Sequence, residues 1–195
     1  MKPLQRRGRS DAEPVLDPAL LVAIAGGDLG SLGILYDRHA LAVWRVAYRV
    51  MGTANDVDDV VHATFLKVPS LASGFDGRPS ARSWLVGIGA RLALRQMRGV
   101  GRFMRAMARF AHVSRRTEDL NPESIAAGRA RVAVLDRALA KLPATKRAVF
   151  VMLEMEGLTH DEVSRALGIP LPTVRTRLFH AKRALQDALS SAEDA

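Results

Sequence analysis

Apolar residues recur along this chain at intervals of three and four, the spacing that places them on one face of an α-helix. The alternation of apolar and polar residues that marks a half-buried strand is almost absent. Only two tyrosines and two tryptophans are present, so the chain is also poor in the aromatic residues that favour strands. The pattern predicts an all-α fold of two small helical domains joined by a basic linker.

In the first half of the chain, glycines and capping residues divide the apolar pattern into helices. A short helix is expected from about Pro18 to a glycine pair, and Asp28 can cap the long amphipathic helix that follows. The third helix is expected to start at Asn55 or Asp56 and to weaken at Pro69, which has no amide hydrogen to donate. A glycine-containing loop then leads to the fourth helix.

The second half of the chain ends in two helices joined by a tight turn. Pro143 can open the preceding helix, because proline is well tolerated in the first helical turn. Thr159 and Glu162 match a capping box, in which each side chain accepts a hydrogen bond from the other residue's backbone amide. This short helix is expected to end at Gly168, and a last helix to span about residues 171–189. The pair has the form of a helix-turn-helix.

These elements give an expected domain organisation. The segments are a disordered N-terminal arm at 1–17, a first helical domain at 18–98, a basic linker at 99–121, a second helical domain at 122–190 and a tail at 191–195. No window approaches the roughly eighteen apolar residues that a membrane-spanning helix needs, so membrane insertion is not expected. The N-terminal arm is polar and basic, without the apolar core of a signal peptide, and a cytoplasmic location is expected.

Composition limits the chemistry that the chain can perform. The absence of cysteine excludes disulfides, thiolate zinc sites and cysteine nucleophiles. His160 and Asp161 resemble the metal-binding pair of phosphohydrolases, but the five histidines show no further ligand spacing and the pair lies inside the expected capping box. There is also no phosphate-binding glycine loop. We expect no catalytic residue, no metal site and no cofactor, and a metal-dependent hydrolase is a distant alternative.

Positive charge is concentrated between the two predicted domains. The net charge is +9, which indicates a polyanionic partner such as nucleic acid. Residues 77–117 contain ten arginines and no acidic residue. Six of these arginines are spaced at alternating steps of four and three: Arg91, Arg95, Arg98, Arg102, Arg105 and Arg109. On a continuous helix they would form one stripe suited to a phosphate backbone, although Gly99 and Gly101 could interrupt that helix.

The last helix is predicted to have a buried face and a basic outer face. The apolar stripe consists of Val174, Leu178, Ala181 and Leu185. The opposite face and its flanks carry Arg175, Thr176, Phe179, His180, Lys182 and Arg183. Arginine can bond guanine bidentately and threonine can contact the thymine methyl group, so this face is predicted to read bases. A solvated cationic face is the simpler alternative, and an exposed phenylalanine among the charges favours DNA.

The third helix has a polar side that carries an unpaired leucine. Its apolar stripe consists of Val57, Val60, Val61, Thr64 and Val68. Asp59, His62 and Leu66 fall on the other side. An exposed leucine beside an aspartate suggests a protein contact, but single exposed leucines are common, and the geometry leaves both interpretations open.

In order along the chain, these motifs resemble the extracytoplasmic-function group of the sigma-70 family, the short sigma factors that contain only regions two and four. The similarity covers about residues 20–189. In the first half it rests on Leu35-Tyr36-Asp37-Arg38-His39, on DVDDVVHATFLKV at 56–68, and on Trp84-Leu85 with Ile88. In the second half it rests on Leu142-Pro143, Gly157-Leu158-Thr159-His160-Asp161-Glu162-Val163, Leu167-Gly168-Ile169-Pro170 and Thr173-Val174-Arg175-Thr176-Arg177-Leu178.

The resemblance implies promoter-specific transcription initiation, with catalysis left to RNA polymerase. The expected partners are promoter DNA, core RNA polymerase through its largest and second-largest subunits, and an anti-sigma factor. Polymerase binding is expected at Asp56, Asp59, His62, Ala63 and Leu66. Recognition of the −10 element is expected at Arg82, Trp84, Arg91, Arg95 and Arg98. Recognition of the −35 element is expected at Thr173, Arg175, Thr176, Arg177, Phe179, His180 and Arg183.

The first domain departs from the family pattern at six positions. His62 and Ala63 replace glutamine and an acid, Pro69 replaces tryptophan, Ala81 replaces phenylalanine, and Arg91 and Arg95 replace asparagine and aspartate. Polymerase affinity and the choice of unpaired base are therefore expected to differ from the family norm. The alternative function is a stand-alone helix-turn-helix regulator that does not engage polymerase and reads a two-fold symmetric site.

Overall fold

The computed structural model of the chain describes residues 16–107 and 135–193, and every regular element in these two ranges is helical. The elements are α1 (Asp17–Ala25), α2 (Leu29–Met51), α3 (Val57–Leu71), α4 (Ala81–Met107), α5 (described over 135–141), α6 (Ala144–Phe150), α7 (His160–Leu167) and α8 (Leu171–Glu193). The all-α prediction is confirmed. Residues 1–15 of the expected N-terminal arm, most of the linker and the end of the tail lie outside the described residues, whereas residue 17, expected at the end of the arm, is the first residue of α1.

Helix ends follow the local signals in the sequence. The carboxylate of Asp28 accepts a hydrogen bond from the amide of Gly30 at 2.8 Å and caps α2, as predicted. At the other end of α2, Gly52 has a φ of 77°, and its amide donates to the carbonyl of Tyr48 at 2.8 Å. This left-handed conformation costs glycine little, which explains why the helix ends there.

Two expected interruptions have less effect than the sequence suggests. α3 continues through Pro69 to Leu71, followed by a single 3₁₀ turn at Ala72–Gly74. The missing amide of Pro69 removes one intrahelical hydrogen bond, and only two further residues of α3 follow it. α4 likewise runs through Gly99 and the second glycine after it, since each helical glycine costs only about 1 kcal/mol relative to alanine. The expected end of the first domain at residue 98 therefore lies inside α4.

The first four helices enclose an apolar core. Its buried members include Leu20, Leu21, Ile24, Leu35, Val43, Val61, Phe65, Val68 and Leu85. Tyr36 and Phe65 meet edge to face within it, with ring centroids 4.7 Å apart. Asp17 connects α1 to α2, because its carboxylate accepts a hydrogen bond from Arg38 at 2.9 Å and is hydrogen-bonded to His39 at 2.7 Å.

The second half forms a smaller bundle. α6 continues into one π-helical turn, Val151–Met155, and the chain reverses at Gly157, whose φ is 71°. The capping box of α7 is present as predicted: the Thr159 amide donates to the Glu162 carboxylate at 2.8 Å, and the Glu162 amide donates to the Thr159 hydroxyl at 3.2 Å. The core here contains Ala138, Leu139, Leu142, Ala181 and Leu185.

A third core joins the two halves, which the sequence does not predict. It contains Val46, Val50, Val86 and Ala90 from α2 and α4, and Val149, Met152, Val163 and Val174 from the second half. The halves are therefore packed against each other as one body. None of the helices in 16–107 or 135–193 combines the length and apolar character needed to cross a lipid bilayer.

Candidate nucleic-acid interface

The turn between α7 and α8 holds the last helix at a defined angle. Gly168 ends α7 in the left-handed conformation, with a φ of 63°. The hydroxyl of Ser164 donates to the carbonyl of Ile169 at 2.7 Å, and the amide of Ile169 donates back to the Ser164 carbonyl at 3.1 Å. Val163 on α7 and Val174 on α8 are fully buried in the shared core. The helix-turn-helix predicted from the sequence is present.

One face of α8 projects into solvent as a basic surface. The exposed residues Arg175, Thr176, Phe179, His180 and Arg183 form this surface, the outer face of α8. The side chain of Phe179 is 62% exposed, and its ring lies 5.5 Å from that of His180. Leaving so much aromatic surface in water is unfavourable unless a partner covers it. The structure thus brings together five of the seven residues expected at the −35 element.

The other two expected −35 residues are less exposed. Thr173 and Arg177 are half-buried, and Arg177 lines a cleft between the two halves of the chain. Arg177 therefore faces the first half in this arrangement and is separate from the outer face of α8. Lys182, on the flank, is paired with Glu154 at 2.9 Å.

The cleft that contains Arg177 is strongly cationic. It has a volume of about 520 Å³, and its charged lining consists of Lys67, Arg91, Arg95, Arg98 and Arg177. None of the described residues that line it is acidic. Five like charges around one apolar floor repel one another, so an anion in the cleft would be stabilised. Three of the five −10 candidates therefore lie in one electropositive surface.

The remaining −10 candidates are engaged within the chain. Arg82 donates to the carbonyl of Glu156 at 3.1 Å and also to the Glu156 carboxylate. Trp84 is half-buried against Phe75, with ring centroids 5.5 Å apart. Arg91, besides lining the cleft, donates to the carbonyl of Ala166, and burial lowers the pKa of its guanidinium.

A separate surface on α3 contains the residues expected to bind polymerase. Asp59, His62 and Leu66 are exposed, and Leu66 is 79% exposed. Ala63 is half-buried beside them, and Asp56 is exposed at the start of the helix. Two neighbours on α2 were not predicted from the sequence: exposed Leu41 and half-buried Trp44 border a groove of about 420 Å³ that also includes His62. Leu41 and Trp44 are three residues apart, a spacing that places both on one face of α2 and could have predicted this surface.

His160 and Asp161 occupy the exposed first turn of α7, where the capping box explains the local sequence. Across the described ranges, no group of three histidine, cysteine, aspartate or glutamate side chains could hold a metal ion. The hydrolase alternative therefore has no third ligand to support it in this part of the chain.

Two buried charges between the halves were also missed. Arg147 is only 3% exposed, and it donates to the carbonyls of Leu139 at 3.3 Å and Met51 at 3.5 Å. Burial lowers the pKa of Arg147. The Glu156 side chain is 4% exposed and lies within 3.8 Å of Arg49. Arg147 lies four residues before buried Val151 and therefore on the same face of the helix. Its position on this apolar stripe could have predicted its burial.

Comparison with known proteins places both halves in one family. Residues 35–103 match the model for sigma-70 region 2, and residues 133–185 match the model for sigma-70 region 4. The ECF RNA polymerase sigma factor SigL of Mycobacterium tuberculosis is 33% identical over 171 residues, which cover 83% of this chain and 90% of SigL. SigE of Mycolicibacterium smegmatis is 33% identical over 157 residues, which cover 80% of this chain and 60% of SigE.

A solved structure agrees with these matches. CnrH, determined in complex with the cytosolic domain of CnrY, is 28% identical, with a TM-score of 0.62 over 90% of this chain and 97% of CnrH. A match to sigma region 2 also disfavours the stand-alone regulator, which would need only the DNA-binding half. The chain belongs to the extracytoplasmic-function group of the sigma-70 family, the sigma factors that direct transcription from promoters.

Proposed function

We propose that this sigma factor binds core RNA polymerase through α3, reads the −35 element with the outer face of α8, and contacts the −10 element with α4. It acts in the cytoplasm and has no chemistry of its own, because the polymerase performs catalysis. The observation that supports the proposal most directly is the outer face of α8, where two arginines flank an exposed phenylalanine on the second helix of a helix-turn-helix.

The outer face of α8 has the side chains that base reading requires. Arg175 and Arg183 can each donate two hydrogen bonds to guanine in the major groove. The hydroxyl of Thr176 donates to the carbonyl of Pro172 at 3.0 Å, which leaves its oxygen free to accept from a base. Phe179 supplies apolar surface for a thymine methyl group. This combination supports sequence-specific contacts in addition to phosphate contacts.

α4 has the charge needed at a site where strands separate. Arg95 and Arg98 are exposed on this helix, one turn apart, and Lys67 of α3 lies beside them. Unstacking a base costs a few kcal/mol, roughly, and phosphate contacts along the released strand can offset part of that cost. Arg95 stands where the family pattern has aspartate, so this protein relies on more phosphate contact at the −10 element than the pattern implies.

The surface of α3 supports polymerase binding. Leu66 and Leu41 expose apolar area on either side of His62, and Asp59 adds a negative charge that could pair with a basic residue of the partner. A coiled coil of the largest polymerase subunit fits such a surface, and the second-largest subunit would contact the second half. An anti-sigma factor is a further partner, as suggested by CnrH, whose structure was determined with a domain of another protein.

The test is transcription by purified core polymerase on a promoter library, with and without this protein, with every start site mapped by sequencing. We expect new starts that share a two-part upstream motif. Arg175→Ala should relax the preference at one base pair of the upstream part, whereas Gln186→Ala, an exposed change on the same helix, should not. An absence of new starts despite tight binding to duplex DNA would overturn the proposal and favour the stand-alone regulator.

A further inference from the structure

The cationic cleft has an aliphatic floor to which both halves of the chain contribute. None of the described residues that line the cleft is aromatic, and Thr145 is the one neutral polar residue among them. Ile88 is buried, whereas the Leu71 side chain is 40% exposed. Aliphatic surface in contact with water is unfavourable, so a ligand with an apolar part would be stabilised here. The floor consists of Leu71, Ile88, Leu92, Leu94, Leu167 and Ile169.

Most of the positive charge in the cleft is not paired within the described part of the chain. Four of the five cationic side chains form no hydrogen bond or ion pair with residues 16–107 or 135–193: Lys67, Arg95, Arg98 and Arg177. The fifth, Arg91, donates through Nη1 to the carbonyl of Ala166, which is a neutral acceptor. By contrast, Arg78 is bonded to the carboxylate of Asp76 at 2.9 Å. An anion in the cleft would therefore meet several cations without competition from a described carboxylate.

We propose that this cleft is a binding site for a small, soluble phosphate monoester with an aliphatic chain. The phosphate would pair with arginines of both halves, Arg98 and Arg177 among them, and the chain would cover the aliphatic floor. A phosphate monoester carries about −1.5 to −2 charges at neutral pH and three acceptor oxygens, which suits several arginines better than a singly charged carboxylate does. The volume of about 520 Å³ lies within the range of small-molecule pockets, roughly 300–1,000 Å³.

A nucleic acid would use only part of this site. The phosphates of a DNA strand can pair with Arg95 and Arg98, but a phosphate backbone leaves the aliphatic floor in contact with water. A nucleobase prefers an aromatic side chain on which to stack, and the described lining of the cleft has none. The combination of cations with aliphatic side chains therefore favours an alkyl phosphate over a nucleotide.

Binding of such an ester would affect the DNA contacts of α4. Arg95 and Arg98 cannot pair fully with the phosphate of the ester and with a −10 strand at the same time. The ester is therefore expected to compete with DNA at these two arginines. This consequence rests on the proposed function of α4, whereas binding of the ester in the cleft does not.

Isothermal titration calorimetry of the full chain with octyl phosphate, below the concentration at which it forms micelles, tests the site. We expect one molecule to bind per chain. Each buried methylene contributes about three- to fourfold in affinity, so octyl phosphate should bind about tenfold more tightly than hexyl phosphate. Inorganic phosphate supplies the head group alone and octyl glucoside supplies the chain without charge, and both should bind more weakly still. Equal affinities for inorganic phosphate and octyl phosphate would overturn the proposal.

Variants test the two parts of the site separately. Leu71→Ala should weaken binding of octyl phosphate about three- to tenfold but leave inorganic phosphate unaffected. Ile34→Ala is the matched control, because Ile34 is similarly exposed, at 43%, and lies outside the cleft. Arg98→Gln and Arg177→Gln should each weaken binding of octyl phosphate about tenfold or more.

Arg45→Gln is the control for charge, since Arg45 is exposed on α2 and lies outside the cleft. Circular dichroism on each variant checks that the fold is kept. If Leu71→Ala behaves like Ile34→Ala, or the two cleft arginine variants behave like Arg45→Gln, the ester binds elsewhere and the proposal is wrong.

Two further measurements address the source of the ester and its effect on DNA. Vesicles that contain phosphatidic acid present the same head group on a membrane; tighter binding to them than to octyl phosphate, lost in the cleft variants, would overturn the assignment to a soluble ester. Octyl phosphate should displace a labelled oligodeoxythymidine in fluorescence anisotropy, whereas inorganic phosphate at the same concentration should not. Binding of the ester without displacement would overturn the competition. A failure of the proposed function would instead show as absent promoter-specific starts with binding of octyl phosphate intact.

Discussion

Replacing Glu156 by glutamine is expected to weaken the packing between the two halves. Glu156 lies at the end of the π-helical turn, and its side chain is 4% exposed. Its carboxylate forms ion pairs with both Arg82 and Arg49. Glutamine has nearly the same shape and can still accept one hydrogen bond, so the substitution removes the charge and little else. The backbone carbonyl of residue 156 keeps its bond from Arg82 at 3.1 Å.

The size of the effect follows from the bonds and their exposure. A hydrogen bond to a charged group contributes about 1.5–3 kcal/mol, against about 0.5–1.5 kcal/mol for a neutral one. The two arginine side chains are 39% and 22% exposed, so solvent screening reduces the gain from their charges. We expect the free energy of packing between the two halves to fall by about 1–2 kcal/mol, which changes the equilibrium constant for their separation about 5- to 30-fold.

Because the protein has no cysteine, Ala54→Cys and Gln186→Cys place one fluorescent dye on an exposed site in each half. Urea titration of this labelled chain measures the loss, with energy transfer between the dyes as the signal for separation of the halves. Glu154→Gln is the matched control, because this carboxylate lies two residues away and is paired with Lys182 on the surface, with the two side chains 39% and 48% exposed. An exposed pair of this kind contributes about 0–1 kcal/mol. If both substitutions shift the midpoint equally, burial of Glu156 does not determine its contribution and the reasoning is wrong.

Three further predictions concern the outer face of α8, the exposed surface of α3 and the contact between α1 and α2. Arg175→Ala should cost about 1–3 kcal/mol at a single promoter base pair, read from start-site frequencies across the library; equal weakening at every position would contradict base reading. Leu66→Ala should change the free energy of unfolding by less than about 0.5 kcal/mol but lower affinity for core polymerase, measured by pull-down titration; unchanged affinity would remove Leu66 from that interface. Burial raises the pKa of Asp17, but hydrogen bonds from Arg38 and His39 outweigh it and hold that pKa below 3.8. Its stabilisation is therefore present above about pH 4 and lost as pH falls through the lowered pKa, a dependence that Asp17→Asn should remove in acid titrations.

The sequence predicts the helices well because their ends depend on neighbouring residues. Asp28 caps a helix two residues away, and the Thr159–Glu162 box spans three residues. The outer face of α8 was predictable for the same reason, since helical periodicity alone separates Phe179 from the buried Val174. Sequence patterns express these short-range relations directly.

The packing of the two halves was not predictable in this way. Arg82 and Glu156 are 74 residues apart, and no local pattern connects them. Gly87 and Gly89 look alike in sequence, yet one faces α7 and the other faces α2. The sequence favours DNA as the partner of Arg91 and Arg177, with a solvated face as the alternative, whereas Arg177 lines the cleft and Arg91 bonds a carbonyl of the second half. A charged side chain shows what chemistry it can bind, but not which of two partners it meets.

The arginine-rich segment at 77–117 shows why its positive charge fits either of two partners, the second half of the chain or DNA. Ten arginines without an acidic residue between 77 and 117 would repel one another in the isolated segment. The second half supplies Glu156 and backbone carbonyls to three arginines of the first half: Arg49, Arg82 and Arg91. Promoter phosphates would supply the same type of acceptor, more of them and with full charge. A polyanion therefore competes best where the chain's own acceptors are weakest. Arg91 bonds only a neutral carbonyl of the second half, whereas Arg82 bonds both the carbonyl and the carboxylate of Glu156, so a phosphate should replace the partner of Arg91 more readily than those of Arg82.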